Sequence, residues 1–167
     1  AFCRSADDII DQPAPANQQV KELQDMREEI ENTYNGTPHG PIYTALEDVI
    51  ARYKIPQHYF LEILSGMEMD LTINRYATFD NLYTYCYKVA SVVGLICLEI
   101  FGYEDSEAKQ AAVNLGIGMQ ITNIMRDIKE DAQIGRIYLP QDELVRFGYT
   151  ESDLESGVNN ENFRSLM

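Results

Sequence analysis

The chain has 167 residues, enough for one domain that removes roughly 70% of its unfolded surface from water. It carries 27 acidic and 13 basic residues, a formal charge of −14, so its field repels phosphate backbones and excludes nucleic acid as a partner. With 45% hydrophobic and 10% aromatic residues, it is too apolar for a disordered acidic chain. We therefore expect a folded domain.

The cysteines and the first residues bear on location. Cys3, Cys86 and Cys97 are an odd number without paired spacing, which favours a reducing compartment. We expect no membrane-spanning helix, because Glu99 ends the longest apolar run, and no signal peptide, because charges interrupt the opening stretch. The protein is therefore expected in the cytoplasm. The opening stretch lacks capping or turn residues, as if a helix had been cut midway.

Apolar residues recur at three- and four-residue spacing along nearly the whole chain, which predicts an all-α protein. Asp80 and Ser106 are predicted to cap the two longest helices. Beyond residue 132 we expect short helices and turns. Prolines, glycines and caps place the main helices at about 1–11, 20–34, 41–53, 57–71, 80–101 and 106–132.

Four polar residues of the last main helix, Gln120, Asn123, Asp127 and Asp131, step by three, four and four positions. At about 100° per residue they fall within an arc of roughly 80°, and apolar residues cover the other sides. An unpaired buried carboxylate costs several kcal/mol. The stripe is therefore either a solvated face, or it is paired or binds a cation.

The opening helix supplies a matching half. Arg4, Asp7 and Asp11 point the same way, with the two carboxylates one turn apart. Two helices with a DxxxD pair each can face one another across a cavity. Oxygen donors without sulfur or a well-placed histidine suit Mg²⁺, which shares its ligands with phosphate oxygens. The pattern favours a phosphorylated ligand; a metal-stabilised helical interaction module is the alternative.

Other chemistries lack the residues that they need. A di-iron bundle requires Glu-x-x-His pairs, whereas His39 and His58 lie near prolines without a carboxylate at ligand spacing. The same shortage argues against Ser/His/Asp and Cys/His catalysis. No Walker-type glycine-rich phosphate loop is present.

Four segments form an ordered set along the chain. Residues 3–11 read CRSADDIID, residues 66–70 read GMEMD, and residues 85–94 read YCYKVASVVG. Residues 115–140 contain LG, QITNIMRD and GRIYLP. In this order they resemble the aspartate-rich motifs and signatures of the squalene/phytoene synthase family, with Ser91 at a place that is more often glycine.

This resemblance implies an isoprenoid synthase helical fold around a central cavity. Residues 1–167 would be the central part of a single domain, incomplete at both ends, with an N-terminal helix and the C-terminal helices missing. We expect this portion alone to be inactive. Bacterial presqualene diphosphate and dehydrosqualene synthases look most similar, with bacterial phytoene synthases close behind.

The implied activity is that of a prenyltransferase. It would condense two farnesyl or geranylgeranyl diphosphates head to head, through a cyclopropylcarbinyl diphosphate, to squalene-type or phytoene-type products. A non-catalytic relative that acts as an assembly or interaction protein is the alternative. A head-to-tail synthase would carry DDxxD spacing, which neither motif shows.

The resemblance also implies residue roles. Ligands of Mg²⁺, with Mn²⁺ as a substitute, or of its waters would be Asp7, Asp11, Asn123, Asp127 and Asp131. Substrate-binding residues would be Arg4, Gln120, Asn123, Arg136 and Tyr138. Tyr85 would join the four aspartates in catalysis, near the reacting carbons, with core packing as its alternative role. NADPH would be needed only for squalene. We expect a monomer that binds prenyl diphosphates and meets the membrane peripherally for product release.

Overall fold

Most of the chain is helical in the computed structural model, which describes residues 1–167. The all-α prediction is therefore confirmed. The only extended pairing is one isolated parallel bridge between Arg75 and Ile137. In chain order the elements are α1 Phe2–Asp11, α2 Ala16–Tyr34, α3 Gly40–Tyr53, α4 Gln57–Thr72, α5 Phe79–Cys86, a π-helical turn Tyr87–Ser91, α6 Val92–Phe101, α7 Glu107–Gln133, α8 Gln141–Arg146, α9 Glu151–Ser156 and α10 Glu161–Leu166.

The helix bounds follow the predicted punctuation, but both predicted caps are wrong. Asp80 lies inside the first turn of α5, and the Thr78 side chain caps that helix by accepting a backbone N–H at 3.3 Å. Ser106 precedes α7 with helical dihedral angles and makes no side-chain cap, because a cap residue needs an extended backbone to reach the amides. The Asp105 carboxylate accepts the Glu107 N–H instead, at 2.9 Å.

The helices α5 and α6 and the π-helical turn between them form one continuous segment, Phe79–Phe101. It has 23 residues and a mean hydropathy of 1.5 in its most apolar window, so by length and composition it could cross a membrane. The prediction that no such segment exists is therefore wrong. Core helices pass the same test. This segment packs against α4 and α7, with 28% of the window buried inside the chain.

Helix α7 crosses the π-helical turn in close contact at Gly116. A Cβ atom at this position would lie 2.6 Å from the backbone nitrogen of Ser91 and 2.8 Å from its Oγ. The buried Ser91 hydroxyl donates to the carbonyl of Val113 at 2.8 Å, which ties the turn to α7. The contact therefore has no room for a side chain at residue 116.

Gly116→Ala is expected to lower the free energy of unfolding by about 1–3 kcal/mol, because the added methyl group overlaps backbone atoms. Gly118 is the matched control, since no atom beyond its own stretch of helix lies within 4 Å of its Cβ position. Gly118→Ala is expected to raise stability by about 0.5–1 kcal/mol through helix propensity. Urea unfolding followed by circular dichroism measures both, and shifts of equal sign would contradict the close contact.

The buried apolar side chains form three hydrophobic clusters. The first joins α1, α2, α4 and α6, and it buries Phe2 and Ala6 of α1. The second lies between α5 and α7 and includes Tyr76 and Tyr85. The third is formed by residues that follow α7, between Ile137 and Leu154. Because α1 is anchored through Phe2 and Ala6, Asp7 and Asp11 lie on a face that borders a cavity.

Candidate active site

A cavity of about 260 Å³ is bordered by α1, α4, α5, α7 and the segment after α7. It brings together residues that are far apart in the sequence. Asp70, the last residue of the GMEMD motif, was assigned no role from the sequence, and it also lines the cavity. The predicted site residues that line the cavity are Asp7, Asp11, Tyr85, Gln120, Arg136 and Tyr138.

Asp70, near the end of α4, is the centre of the polar contacts. The hydroxyls of Tyr85 and Tyr138 donate to its two carboxylate oxygens, each at 3.1 Å. The Arg136 guanidinium donates to its backbone carbonyl at 3.1 Å. Burial raises the pKa of Asp70, while the charge of Arg136 and the two hydroxyls oppose that rise. One residue thus joins α4, α5 and the segment after α7.

Three tyrosine rings form a compact group beside Asp70. The ring centres of Tyr85 and Tyr138 are 5.3 Å apart, and Tyr76 lies 5.8 Å from Tyr138 and 5.5 Å from Tyr85. Burial raises the pKa of Tyr138 to about 12 and also raises those of Tyr76 and Tyr85, so all three phenols are protonated at neutral pH. Tyr85 therefore both packs in the second cluster and lines the cavity.

Arg136 is the only basic residue among those that line the cavity. Burial lowers the pKa of its guanidinium, but Tyr138 and Asp70 outweigh this effect and the net shift is upward. The side chain therefore stays cationic. A fixed guanidinium beside phenol hydroxyls is a suitable site for an anionic group with several oxygens.

Two predicted substrate-binding residues lie elsewhere. Arg4 is exposed at the surface, where its Nε contacts Asp8 Oδ1 at 2.9 Å, and it does not line the cavity. Asn123 lines a neighbouring groove, and its amide lies 3.5 Å from Oε1 of Gln120. The structure thus does not bring these two side chains together with Arg136.

The carboxylates of α7 also lie outside the cavity. Both oxygens of Asp127 accept hydrogen bonds from Arg126, at 2.7 and 2.6 Å, and this contact lowers the pKa of Asp127. Asp131 lines a small pocket that it shares with Arg136. Burial, and then the charge of Asp127, raises the pKa of Asp131. Asp131 is therefore beside the cavity rather than in it.

A second, apolar groove of about 640 Å³ lies between α6 and α7. Val93 and Met119 line it, whereas Leu64 is buried in the core. Val89 and Gln120 line both this groove and the polar cavity. The two spaces therefore adjoin, and together they form an amphiphilic site.

A family model described as squalene/phytoene synthase matches residues 1–167. The chain belongs to the squalene/phytoene synthase family. It is 40% identical to the 15-cis-phytoene synthase of Synechococcus elongatus, covering 99% of this chain and 58% of that protein. It is 37% identical to phytoene synthase 1, chloroplastic, of Arabidopsis thaliana, covering 99% and 41%. The chain thus spans about half the length of these two relatives.

Two crystal structures, of a squalene synthase and a dehydrosqualene synthase, share the fold. The squalene synthase HpnC of Alicyclobacillus acidocaldarius superimposes with a TM-score of 0.92 at 31% identity, over 99% of this chain and 62% of that one. A dehydrosqualene synthase in complex with ligand gives 0.88 at 32% identity, over 99% and 57%. The prediction of an isoprenoid synthase fold is therefore confirmed.

The acidic residues fit the Mg²⁺ that the squalene/phytoene synthase motifs imply. Burial and then the charge of Asp11 raise the pKa of Asp7, a repulsion that a divalent cation would relieve. No three acidic, histidine or cysteine side chains converge into a closed metal cage. Mg²⁺ is usually held by one or two carboxylates together with waters and substrate phosphates. Paired carboxylates at Asp7 and Asp11 suit that open mode of binding.

Asp70 is the site residue that sequence reasoning missed, although its GMEMD segment was part of the resemblance to this family. Its signal was present in the sequence: an acid at the end of a helix whose neighbours Met67 and Met69 are apolar. An acid that such a helix buries must find donors from other elements. What the sequence could not show is that those donors are Tyr85 and Tyr138.

Proposed function

We propose that the protein condenses two prenyl diphosphates head to head. The observation that carries this proposal is that the polar cavity and the apolar groove adjoin through Val89 and Gln120. A prenyl diphosphate has a highly charged head and a long hydrocarbon tail. Arg136 supplies N–H donors for the head, and the groove supplies an apolar surface for the tail.

The reaction would begin with loss of diphosphate from an allylic carbon. Arg136 would stabilise the negative charge that builds on the leaving oxygens, through fixed N–H donors. Mg²⁺ bound through the paired aspartates would add further neutralisation of that charge. The double bond of the second chain then attacks the allylic cation, and loss of a proton gives a cyclopropylcarbinyl diphosphate.

The site must also stabilise the allylic cation and keep water away from it. The rings of Tyr85 and Tyr138 lie beside the cavity, and aromatic rings stabilise nearby positive charge. The apolar groove excludes water that would otherwise quench the cation. Protonated phenols with raised pKa values also offer no phenolate to capture it. The site thus needs no protein nucleophile.

For the substrate we propose geranylgeranyl diphosphate, with farnesyl diphosphate as the second candidate. Relatives that are 35–40% identical are named phytoene synthases, whereas the structural neighbours named for squalene and dehydrosqualene are 31–32% identical. This difference favours a phytoene-type product with 40 carbons (C40). The sequence motifs alone favoured the squalene-type products with 30 carbons (C30). NADPH would then not be required.

We also propose a cytoplasmic monomer that meets a membrane peripherally. The expected product is a hydrocarbon that water does not dissolve. Phe101 and Leu115 line the groove and are 84% and 65% exposed. These side chains would support transfer of the product to an apolar phase.

The proposal is tested by incubating the full-length gene product with Mg²⁺ and either prenyl diphosphate, then identifying products by mass. Asp7→Asn is expected to reduce turnover about 100-fold, because it removes a carboxylate from the proposed metal-binding pair. Asp8→Asn is the matched control on the same helix, since Asp8 pairs with the exposed Arg4. We expect less than about a threefold change there.

A non-catalytic relative would give different results. It would form no C30 or C40 product, and Asp7→Asn and Asp8→Asn would behave alike. That outcome would reject the proposed reaction in favour of an assembly or interaction role. C40 product alone would support the substrate assignment, and C30 product alone would replace it with farnesyl diphosphate.

A further inference from the structure

Arg75 lies outside the cavity, yet its guanidinium makes four hydrogen bonds. Nε and Nη2 donate to the two carboxylate oxygens of Glu151, at 2.8 and 2.9 Å. Nη1 donates to the backbone carbonyls of Asn74, at 2.7 Å, and Gly135, at 2.6 Å. The side chains of Arg75 and Glu151 are each 36% exposed. We call this arrangement the Arg75–Glu151 clamp.

The clamp acts on the peptide that precedes Arg136. Gly135 ends the turn after α7 with a φ of +81°. Because glycine has no Cβ atom, its own backbone does little to hold this conformation, so other contacts must hold it. Its carbonyl accepts from Arg75, and the following N–H, that of Arg136, donates to the carbonyl of Asp131 at 2.9 Å. Hydrogen bonds therefore fix both the carbonyl and the N–H of the peptide unit between Gly135 and Arg136.

Backbone hydrogen bonds also hold the segment after α7 alongside the segment that follows α4. The N–H of Ile137 donates to the carbonyl of Asn74 at 3.1 Å, and the N–H of Gln141 donates to that of Tyr76 at 2.9 Å. The segment that carries Arg136 and Tyr138 thus runs along the segment 74–77. The clamp ties the start of this alignment to α9 through Glu151.

From these contacts we infer that the Arg75–Glu151 clamp is a positioning device that sets Arg136 for binding the diphosphate group of the substrate. The inference deepens the proposed function and rests on it. Arg75 would not touch substrate, because it does not line the cavity. A lysine could not replace it, since an ammonium cannot make the two-pronged contact with Glu151 and reach the carbonyl of Gly135 together.

The test measures the affinity for inorganic pyrophosphate with Mg²⁺ by calorimetry on the full-length gene product. Measurements are made at a temperature where circular dichroism shows every variant to be folded. Arg75→Lys is expected to weaken binding about 10-fold, and the milder Glu151→Gln about threefold. Arg52→Lys is the matched control, because Arg52 pairs with Asp48 on the exposed face of α3. It is expected to leave the affinity unchanged.

A double-mutant cycle separates positioning from a general structural effect. If Arg75 acts through Arg136, then Arg75→Lys should weaken binding no further once Arg136 is replaced by alanine. Equal losses in both backgrounds would overturn the inference, as would unchanged affinity in both Arg75→Lys and Glu151→Gln.

Failure of the inference and failure of the proposed function can be told apart. Pyrophosphate binding without prenyl turnover would reject the proposed reaction alone, and the cycle would still decide on the clamp. Turnover with additive losses would reject the clamp alone. Absence of pyrophosphate binding in the unmodified protein would overturn both.

Discussion

Asp70→Asn is expected to lower kcat/KM for the prenyl diphosphate about 100-fold, or about 2.7 kcal/mol of transition-state stabilisation. The Tyr85 and Tyr138 hydroxyls both donate to the carboxylate of Asp70. An asparagine offers one acceptor oxygen and one donor amide, so one hydroxyl is left facing a donor, at a cost of about 1–3 kcal/mol. The substitution also removes the negative charge beside Arg136. Steady-state kinetics on the full-length gene product measures the effect.

Glu68→Gln is the matched control for Asp70→Asn. Glu68 lies on the same helix outside the cavity and pairs with the part-buried Arg27, with contacts of 3.1 and 2.9 Å. Because neither Glu68 nor Arg27 lines the cavity, we expect kcat/KM to stay within about threefold of the unmodified protein. If Asp70→Asn and Glu68→Gln had equal kinetic effects, Asp70 would not be the organiser of this site.

Arg136→Ala is expected to weaken the affinity for inorganic pyrophosphate about 100-fold. Arg136 is the only basic side chain among the cavity-lining residues, and truncation of one partner of a charged contact costs about 2–5 kcal/mol. Because the leaving group gains charge as it departs, kcat should fall together with affinity. Calorimetry and steady-state kinetics measure the two effects.

Arg146→Ala is the control for Arg136→Ala, since Arg146 is exposed and pairs with Glu143 on the same short helix. No change in either measurement is expected there. Unchanged pyrophosphate affinity in Arg136→Ala would show that the diphosphate is held by other residues, and the exposed Arg4 would then be the first candidate to examine.

Much of the fold was predictable because helical periodicity and proline punctuation are local properties. The ends near Asp11, Tyr34 and Gln133 follow from them directly. The π-helical turn at Tyr87–Ser91 was not predictable, because it lies at a tertiary contact, that of Ser91 with Gly116 of α7, which no local pattern reveals. The cap at Thr78 was missed for a similar reason: Thr78 and Asp80 are both good cap residues, and only the backbone conformation decides between them.

The candidate site was predictable in its residue types more than in its arrangement. Periodicity placed Asp7 and Asp11 on one helix face, and both line the cavity. It could not show that Asp127 turns to Arg126, its sequence neighbour, because side-chain conformation at the surface depends on local pairing. Nor could it reveal the contacts of Asp70, whose partners come from two other elements.

The Arg75–Glu151 clamp joins residues that are 76 positions apart in the sequence. During synthesis from the N-terminus, Glu151 leaves the ribosome long after α1 to α6 have emerged. The first hydrophobic cluster, which draws on α1, α2, α4 and α6, can pack before that moment, whereas the clamp cannot close. The nascent chain would thus pass through a stage with a packed scaffold and an unfinished binding site. The binding site would therefore be completed late in the synthesis and folding of the chain.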